Sequence, residues 1–175
     1  MLRPRLVAAA STAAAVAGAA MLTAPAARAD EHSIIRQYGE HPRYVFEAEP
    51  HAILGFGYPF DRPNDYFGLG FRGTFHITDG FVKGINDSIG VGVGLDFAPG
   101  GPGYFFIPVV MQWNFWLSTH WSVFGEPGLG FTNAARTALD PFVFYAGGRF
   151  HFSDRISLTL RVGYPDISVG VSFFL

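Results

Sequence analysis

Six ionisable side chains stand at alternating positions of otherwise apolar or glycine-rich segments: Glu47, Glu49, Arg72, Glu126, Arg149 and Arg161. Paired carboxylates with histidines nearby, here His51 and His76, are the raw material of general acid–base catalysis, in which one group gives a proton while another takes one. The same set reads equally as structural pairing. Three carboxylates balance three guanidiniums, and arginine in place of lysine suits two-pronged pairing with a carboxylate in a tight space. Gln112, Asn114, Ser157 and Thr159 fall in the same zone, counted along their segments. Whether the groups line an open cleft or fill an interior depends on the elements that carry them.

Those elements read as strands. Two-residue alternation recurs along the chain and is broken by Gly/Pro/Asp/Asn clusters. It predicts eight strands near 43–57, 65–77, 88–97, 104–117, 120–132, 141–152, 155–164 and 166–175, with no helical period of any length. The faces differ sharply. Ile89, Val91, Val93, Leu95 and Phe97 alternate with Ser88, Gly90, Gly92, Gly94 and Asp96, and Ile156, Leu158, Leu160, Val162 and Tyr164 with Arg155, Ser157, Thr159, Arg161 and Gly163. A water-soluble barrel would need its second face coated with charge. Here that face is mostly Gly, Ser and Thr. Turned over, with apolar rows to lipid and small or polar residues inside, the pattern fits a membrane barrel. Only closure can satisfy the backbone in hydrocarbon, where water offers no hydrogen bonds. The fold class expected is all-β: an eight-stranded antiparallel up-and-down transmembrane β-barrel.

Composition agrees. The chain is 15% charged and 17% aromatic, with Lys83 as its one lysine, whereas a soluble surface is commonly a quarter to a third charged. Residues 1–29 have two arginines in MLRPR, an alanine-rich apolar stretch and the exit APAARA before Asp30. They read as a cleaved secretory signal peptide. Cleavage after Ala29 removes Arg3, Arg5 and Arg28 and takes the formal charge from −2 to −5, which argues against a nucleic-acid partner. No cysteine is present, so neither a disulfide framework nor a lipobox cysteine is available. Residues 30–42 (DEHSIIRQYGEHP) are polar and irregular and read as a flexible periplasmic lead-in, and 43–175 as the barrel.

With its signal peptide, eight strands and final strand, the chain resembles the small outer-membrane barrels of the OmpA/OmpX-like superfamily across residues 43–175. Segments such as QWNFWLSTHWSVFGEPGLG and GGRFHFSD…LRVGYP are also similar to uncharacterised exported proteins of myxobacteria. The superfamily resemblance implies that the barrel-assembly machinery reads Ile167, Val169, Val171 and Phe173, with Leu175 standing where phenylalanine is usual. With the amino terminus in the periplasm, connections 58–64, 98–103, 133–140 and the one at Pro165 lie outside the cell. Those at 118–119, 153–154 and 78–87 lie in the periplasm, where short turns are preferred. In the long third turn Phe81 and Lys83 can anchor at the interface. Aromatics near the strand ends read as two interface girdles, Tyr44, Trp116, Trp121 and Phe152 at one and Phe56, Tyr66, Phe97 and Phe142 at the other.

An eight-stranded barrel is just wide enough to be filled by its own side chains, and buried charges must pair. The six ionisable groups therefore read as a structural plug, with no catalytic residue. Two other features carry weaker alternatives. His151-Phe152-Ser153 resembles the His-x-Ser pair of outer-membrane lipid A deacylases, but it falls in a short turn where Ser-Asp is ordinary turn chemistry. Gly55, Gly57, Gly68, Gly70, Gly92, Gly94, Gly128 and Gly130 on the inward rows either leave a vestibule or are covered by Tyr104, Phe106, Phe124 and Tyr145, as aromatics cover strand glycines. His41 and His120 lack metal-ligand spacing, and GVGVG at 90–94 lies within a strand and opens no helix. The expected function is a non-enzymatic, envelope-integrity barrel in outer-membrane lipid, without metal or cofactor and monomeric because the sheet closes on itself. A narrow solute channel and a lipid-modifying enzyme are the alternatives.

Overall fold

The computed structural model describes residues 33–55, 66–99, 104–133 and 138–175. Alternating sequence becomes alternating burial in eight strands: β1 (Phe46–Gly55), β2 (Tyr66–Asp79), β3 (Asp87–Ala98), β4 (Tyr104–Trp116), β5 (Trp121–Thr132), β6 (Leu139–Ser153), β7 (Ile156–Tyr164) and β8 (Asp166–Phe174). Every sequential pair is antiparallel, and β8 pairs with β1 to close the barrel. In β3, Val91, Val93, Leu95 and Phe97 are exposed while Gly92, Gly94 and Asp96 are buried. β7 likewise exposes Ile156, Leu158, Leu160 and Val162 and buries Ser157, Thr159 and Arg161. The apolar rows thus face outward. The strands run from nine to fifteen residues, and about nine to eleven tilted residues cross a bilayer core.

The interior is layered. Near the end that carries the lead-in, Ile34, Tyr44, Trp116 and Phe174 form an apolar cluster. Near the far end Ala98, Phe106, Val110, Val143 and Tyr145 form another, with Tyr66 packed against it. Between them lies a polar belt. Three prolines in the wall mark ladder interruptions. The β1–β8, β3–β4 and β4–β5 registers each skip two residue pairs, around Pro50, Pro108 and Pro127. Proline has no N–H to donate, so it opens a ladder wherever its nitrogen faces a neighbour.

Two expectations are corrected here. Tyr44 and Trp116 are not interface girdle residues: both are buried, and Trp116 donates from Nε1 to Ser88 Oγ at 3.2 Å. Trp116 stands on the same inward row as Asn114, and that parity overrides the aromatic preference for the interface. Trp121 and Phe152 are exposed at that end, Phe97 and Phe142 at the other, while Tyr66 turns partly inward. Phe56 and the connection 58–64 lie outside the described residues, as do most of 98–103, the middle of 133–140 and the expected signal peptide. Phe81 is exposed and meets Trp113 edge-on with centroids 5.7 Å apart.

The lead-in from residue 33 onward is the second correction. Its polar sequence predicts flexibility, yet its backbone is tied to two connections of the barrel, the one between β4 and β5 and the one between β2 and β3. Ile34 N donates to Leu117 O at 3.1 Å, Asn86 N to Ile35 O at 2.7 Å, and the Asn86 side chain to Glu40 O at 3.1 Å. Buried Ile34 provides the apolar anchor.

Candidate functional site: the buried charge belt

All six expected charges, with Gln112 and Asn114, converge in one hydrogen-bonded belt inside the barrel, and all eight are buried. Alternation places them there: each sits on the inward row of β1, β2, β4, β5, β6 or β7. Glu126 is the hub. It accepts from Arg161 Nε at 2.8 Å and Nη2 at 3.2 Å, from Arg72 Nη1 at 2.7 Å and from Gln112 Nε2 at 2.9 Å. Arg161 also forks onto Glu49, with Nη1 at 2.6 Å and Nη2 at 3.1 Å from its two oxygens. Arg149 grips both oxygens of Glu47 from Nη2, at 2.7 and 3.0 Å, and donates from Nη1 to Asn114 Oδ1. Asn114 in turn donates to Gln112 Oε1 at 3.1 Å, linking the two halves. Ser172 donates to Glu49 at 3.1 Å and shares a 2.7 Å contact with Thr159.

Phe124 is a member of the site that residue type alone does not suggest. The guanidinium carbon of Arg149 lies 4.2 Å from its ring centroid and that of Arg161 5.2 Å. The ring attracts both cations through its quadrupole. Asp96 and Asp166 are two further buried carboxylates, beyond the three that the sequence pairs with arginine. Asp96 accepts from or pairs with His51 Nε2 at 2.8 Å and lies 4.0 Å from Arg72, and Tyr66 reaches Asp166 at 3.5 Å. Their signal was available, because Asp96 occupies the same inward row as Gly92 and Gly94. His51 thus joins the belt. His76 does not: it pairs with Asp79 at the lead-in end, at 2.9 Å.

Of the inward-row glycines, Gly130 is covered by the Phe106 ring and Gly55 by Tyr66, while an added Cβ at Gly68, Gly70, Gly92 or Gly94 would meet not an aromatic ring but Phe97 O, Asp96, Thr74 or Pro108 respectively. Gly57 lies outside the described residues. Gly128 is the strictest case, since its Cβ would meet Val109 O and, at 2.8 Å, Val110 Cα, both backbone atoms. Gly128→Ala is therefore expected to destabilise the folded barrel by about 1–3 kcal/mol, as overpacking does. Urea titration in lipid vesicles reads the shift.

His151 and Ser153 are not brought together. His151 is buried, with Nε2 2.8 Å from Ser122 Oγ, whereas Ser153 is exposed past a register shift and accepts from Arg155 N at 3.3 Å. Among the described residues no group of three or more His, Asp or Glu side chains has metal-holding geometry. Residues 90–94 lie within β3.

The solution structure of the de novo designed barrel TMB2.3 is 13% identical and superposes with a TM-score of 0.55, covering 78% of this chain and 98% of that one. A second designed transmembrane β-barrel is 12% identical with a TM-score of 0.51, over 77% and 99% of the two chains. The fold is that of a transmembrane β-barrel. The outer membrane protein Ail of Yersinia pestis, in a phospholipid nanodisc, is 11% identical with a TM-score of 0.41, over 73% and 99%. No protein family and no curated protein matches the sequence.

Proposed function

We propose that this chain is an outer-membrane barrel of structural, envelope-integrity type whose bore is plugged by its own charges, with no enzymatic activity. The observation that carries this reading is the continuity of the belt. Arg149–Glu47, Asn114, Gln112, Glu126, Arg72 and Arg161–Glu49 bridge across the interior through contacts of hydrogen-bond length, while Phe124 and Tyr145 occupy space beside them. A plug of this kind stiffens the wall, because four of its ion pairs tie strands that are not neighbours, as Glu47 of β1 to Arg149 of β6.

In this reading the end bearing the lead-in faces the periplasm, outer-membrane lipid covers the apolar rows, and the protein is a monomer. The assembly machinery would read Ile167, Val169, Val171, Phe173 and Leu175 during biogenesis. Phe173 and Val169 stand on the outward row of β8, where a docking protein could reach them. Relationship to the OmpA/OmpX-like barrels belongs to the same proposal. The separation of His151 from Ser153 supports the absence of lipase chemistry.

Planar-bilayer recording of the purified protein tests the plug. The expected result is a quiet membrane with no steady unitary steps. Steady steps whose size changes in Arg149→Gln would show that the belt lines a water path instead. Release of lipid A acyl chains that disappears in Ser153→Ala would show an enzyme.

A further inference from the structure

The outer wall has a groove where its bulky rows thin out. On β1 the outward row is Ala48, Pro50 and Ala52, three short side chains in succession, between Phe46 and Leu54. The residues beside them are large. On β2, Leu69 stands opposite Ala52 and Phe71 opposite Pro50; on β8, Val169 stands opposite Ala52 and Phe173 opposite Ala48. The result is a hollow of about 580 Å³ with Pro50 and Ala52 on its floor and Leu69, Val169, Val171 and Phe173 along its sides. His51 also borders it, but its ring turns inward to Asp96, 2.8 Å away, and its side chain is 1% exposed. Pro50 marks the point at which the β1–β8 ladder omits two residue pairs, since proline has no N–H to give.

Hydrocarbon covers this wall, because the fold is that of a transmembrane barrel and the hollow is continuous with the exposed apolar rows on either side. Its shape selects one class of occupant. From Phe173 to Val169 its side runs about 13 Å, at about 3.3 Å per residue, close to the ~15 Å that one leaflet contributes to a core ~30 Å thick. Its floor is one strand wide, and its sides stand on the strands to left and right, about 10 Å apart across two strand spacings. An extended acyl chain lies in such a groove, whereas the convex wall of a second barrel reaches the floor only with single side chains. Phe173 stands near the lead-in end of its strand and Leu69 near the far end of its own, so the chain enters from the leaflet at the lead-in end. Lipid tails are as apolar as the wall, so the groove adds no hydrophobic gain. What it adds is contact on three sides, and dispersion contacts accumulate.

We propose that this groove holds one acyl chain of a phospholipid from the leaflet at the lead-in end, bound more tightly than lipid elsewhere on the wall. The seated chain fills the space that the short β1 row leaves beside the gap in the closing ladder. With the lead-in end toward the periplasm, as proposed above, that leaflet is the periplasmic one; the groove itself does not depend on that orientation.

Photolabelling of the purified full chain in phosphatidylcholine nanodiscs tests this, with a minor fraction of the phosphatidylcholine carrying a diazirine near the end of one acyl chain. Adducts are mapped by mass spectrometry. Labelling of Pro50–Ala52 and Val169–Val171 is expected to exceed that of Val91–Leu95 on β3 about tenfold, equivalent to ~1.4 kcal/mol of preferential occupancy. Ala52→Phe fills the floor and should bring the groove down to the level of β3. Val93→Phe adds bulk on the same outer surface away from the groove and should leave the preference unchanged. Should Ala52→Phe lose the compact band on unheated gels, Ala52→Leu takes its place. Equal labelling of all outward rows overturns the groove while leaving the wall in lipid, and labelling of no outward row overturns both. A preference that survives in the filled variant also overturns the proposal. So does a disulfide-linked dimer trapped through Val169→Cys, in a chain with no other cysteine, which would assign this face to a second copy.

Discussion

Glu126→Ala is expected to lower the unfolding free energy by about 3–5 kcal/mol, the scale for deleting one partner of a buried ion pair. The deleted carboxylate accepts from Arg161 Nε and Nη2, Arg72 Nη1 and Gln112 Nε2. Arg161 would retain Glu49, but Arg72 would be left with Asp96 at 4.0 Å, beyond hydrogen-bond length. A buried guanidinium stripped of its acceptors cannot shed its proton to escape the penalty, since arginine stays charged under all ordinary conditions. Glu126→Gln separates charge from geometry. It keeps an acceptor oxygen where the guanidiniums point and should cost less, on the order of 1.5–3 kcal/mol, the usual range for a charged hydrogen bond. Conversion of the compact band to the unfolded band on unheated gels, followed with temperature and checked by urea titration, measures both. If the alanine variant melts with the parent, the belt does not hold the wall together.

Period-two alternation carries most of the fold legibly, and the reason is geometric. Successive side chains of a strand point to opposite faces, so one decision about which row meets lipid orients every residue of all eight strands. That choice alone puts Glu47, Glu49, Arg72, Gln112, Asn114, Glu126, Arg149 and Arg161 on the inward rows, where all eight are buried. Alternation is silent about distance along the bore and about residues outside strands. It put Trp116 on the inward row, but the preference of tryptophan for interfaces pulled the other way, and contact with Ser88, His41 and Phe174 decided for the interior. It could not show that polar residues 33–45 would bind the barrel end, because their anchors are backbone hydrogen bonds and two buried side chains, Ile34 and Tyr44, too few to make a pattern. Pro50, Pro108 and Pro127 read as strand residues, but the ladder gaps beside them depend on which neighbour each nitrogen faces.

The second large effect tests the outward rows. Leu160 lies midway along β7, is 39% exposed, and stands outward between Val169 of β8 and Gly148 of β6. Leu160→Arg should cost about 2–4 kcal/mol in a bilayer, because an arginine near the midplane must leave water or distort the lipid to reach it. Phe152→Arg supplies the contrast. Phe152 is 62% exposed at the end of β6, beside the turn to β7, and a rim arginine can extend into the headgroups for about 0–1 kcal/mol. The difference between the two sites, more than either value, carries the argument: losing a phenylalanine at the rim and a leucine at the centre forfeits comparable packing, so a depth gradient can come only from the solvent around the wall. In a water-soluble barrel both substitutions would sit on a wetted surface and stay within about 0.5 kcal/mol of the parent. Equal, small effects at Leu160 and Phe152, measured by urea unfolding in the same vesicles, would mean that water covers these rows and that the Arg–Glu belt closes a barrel built for solution.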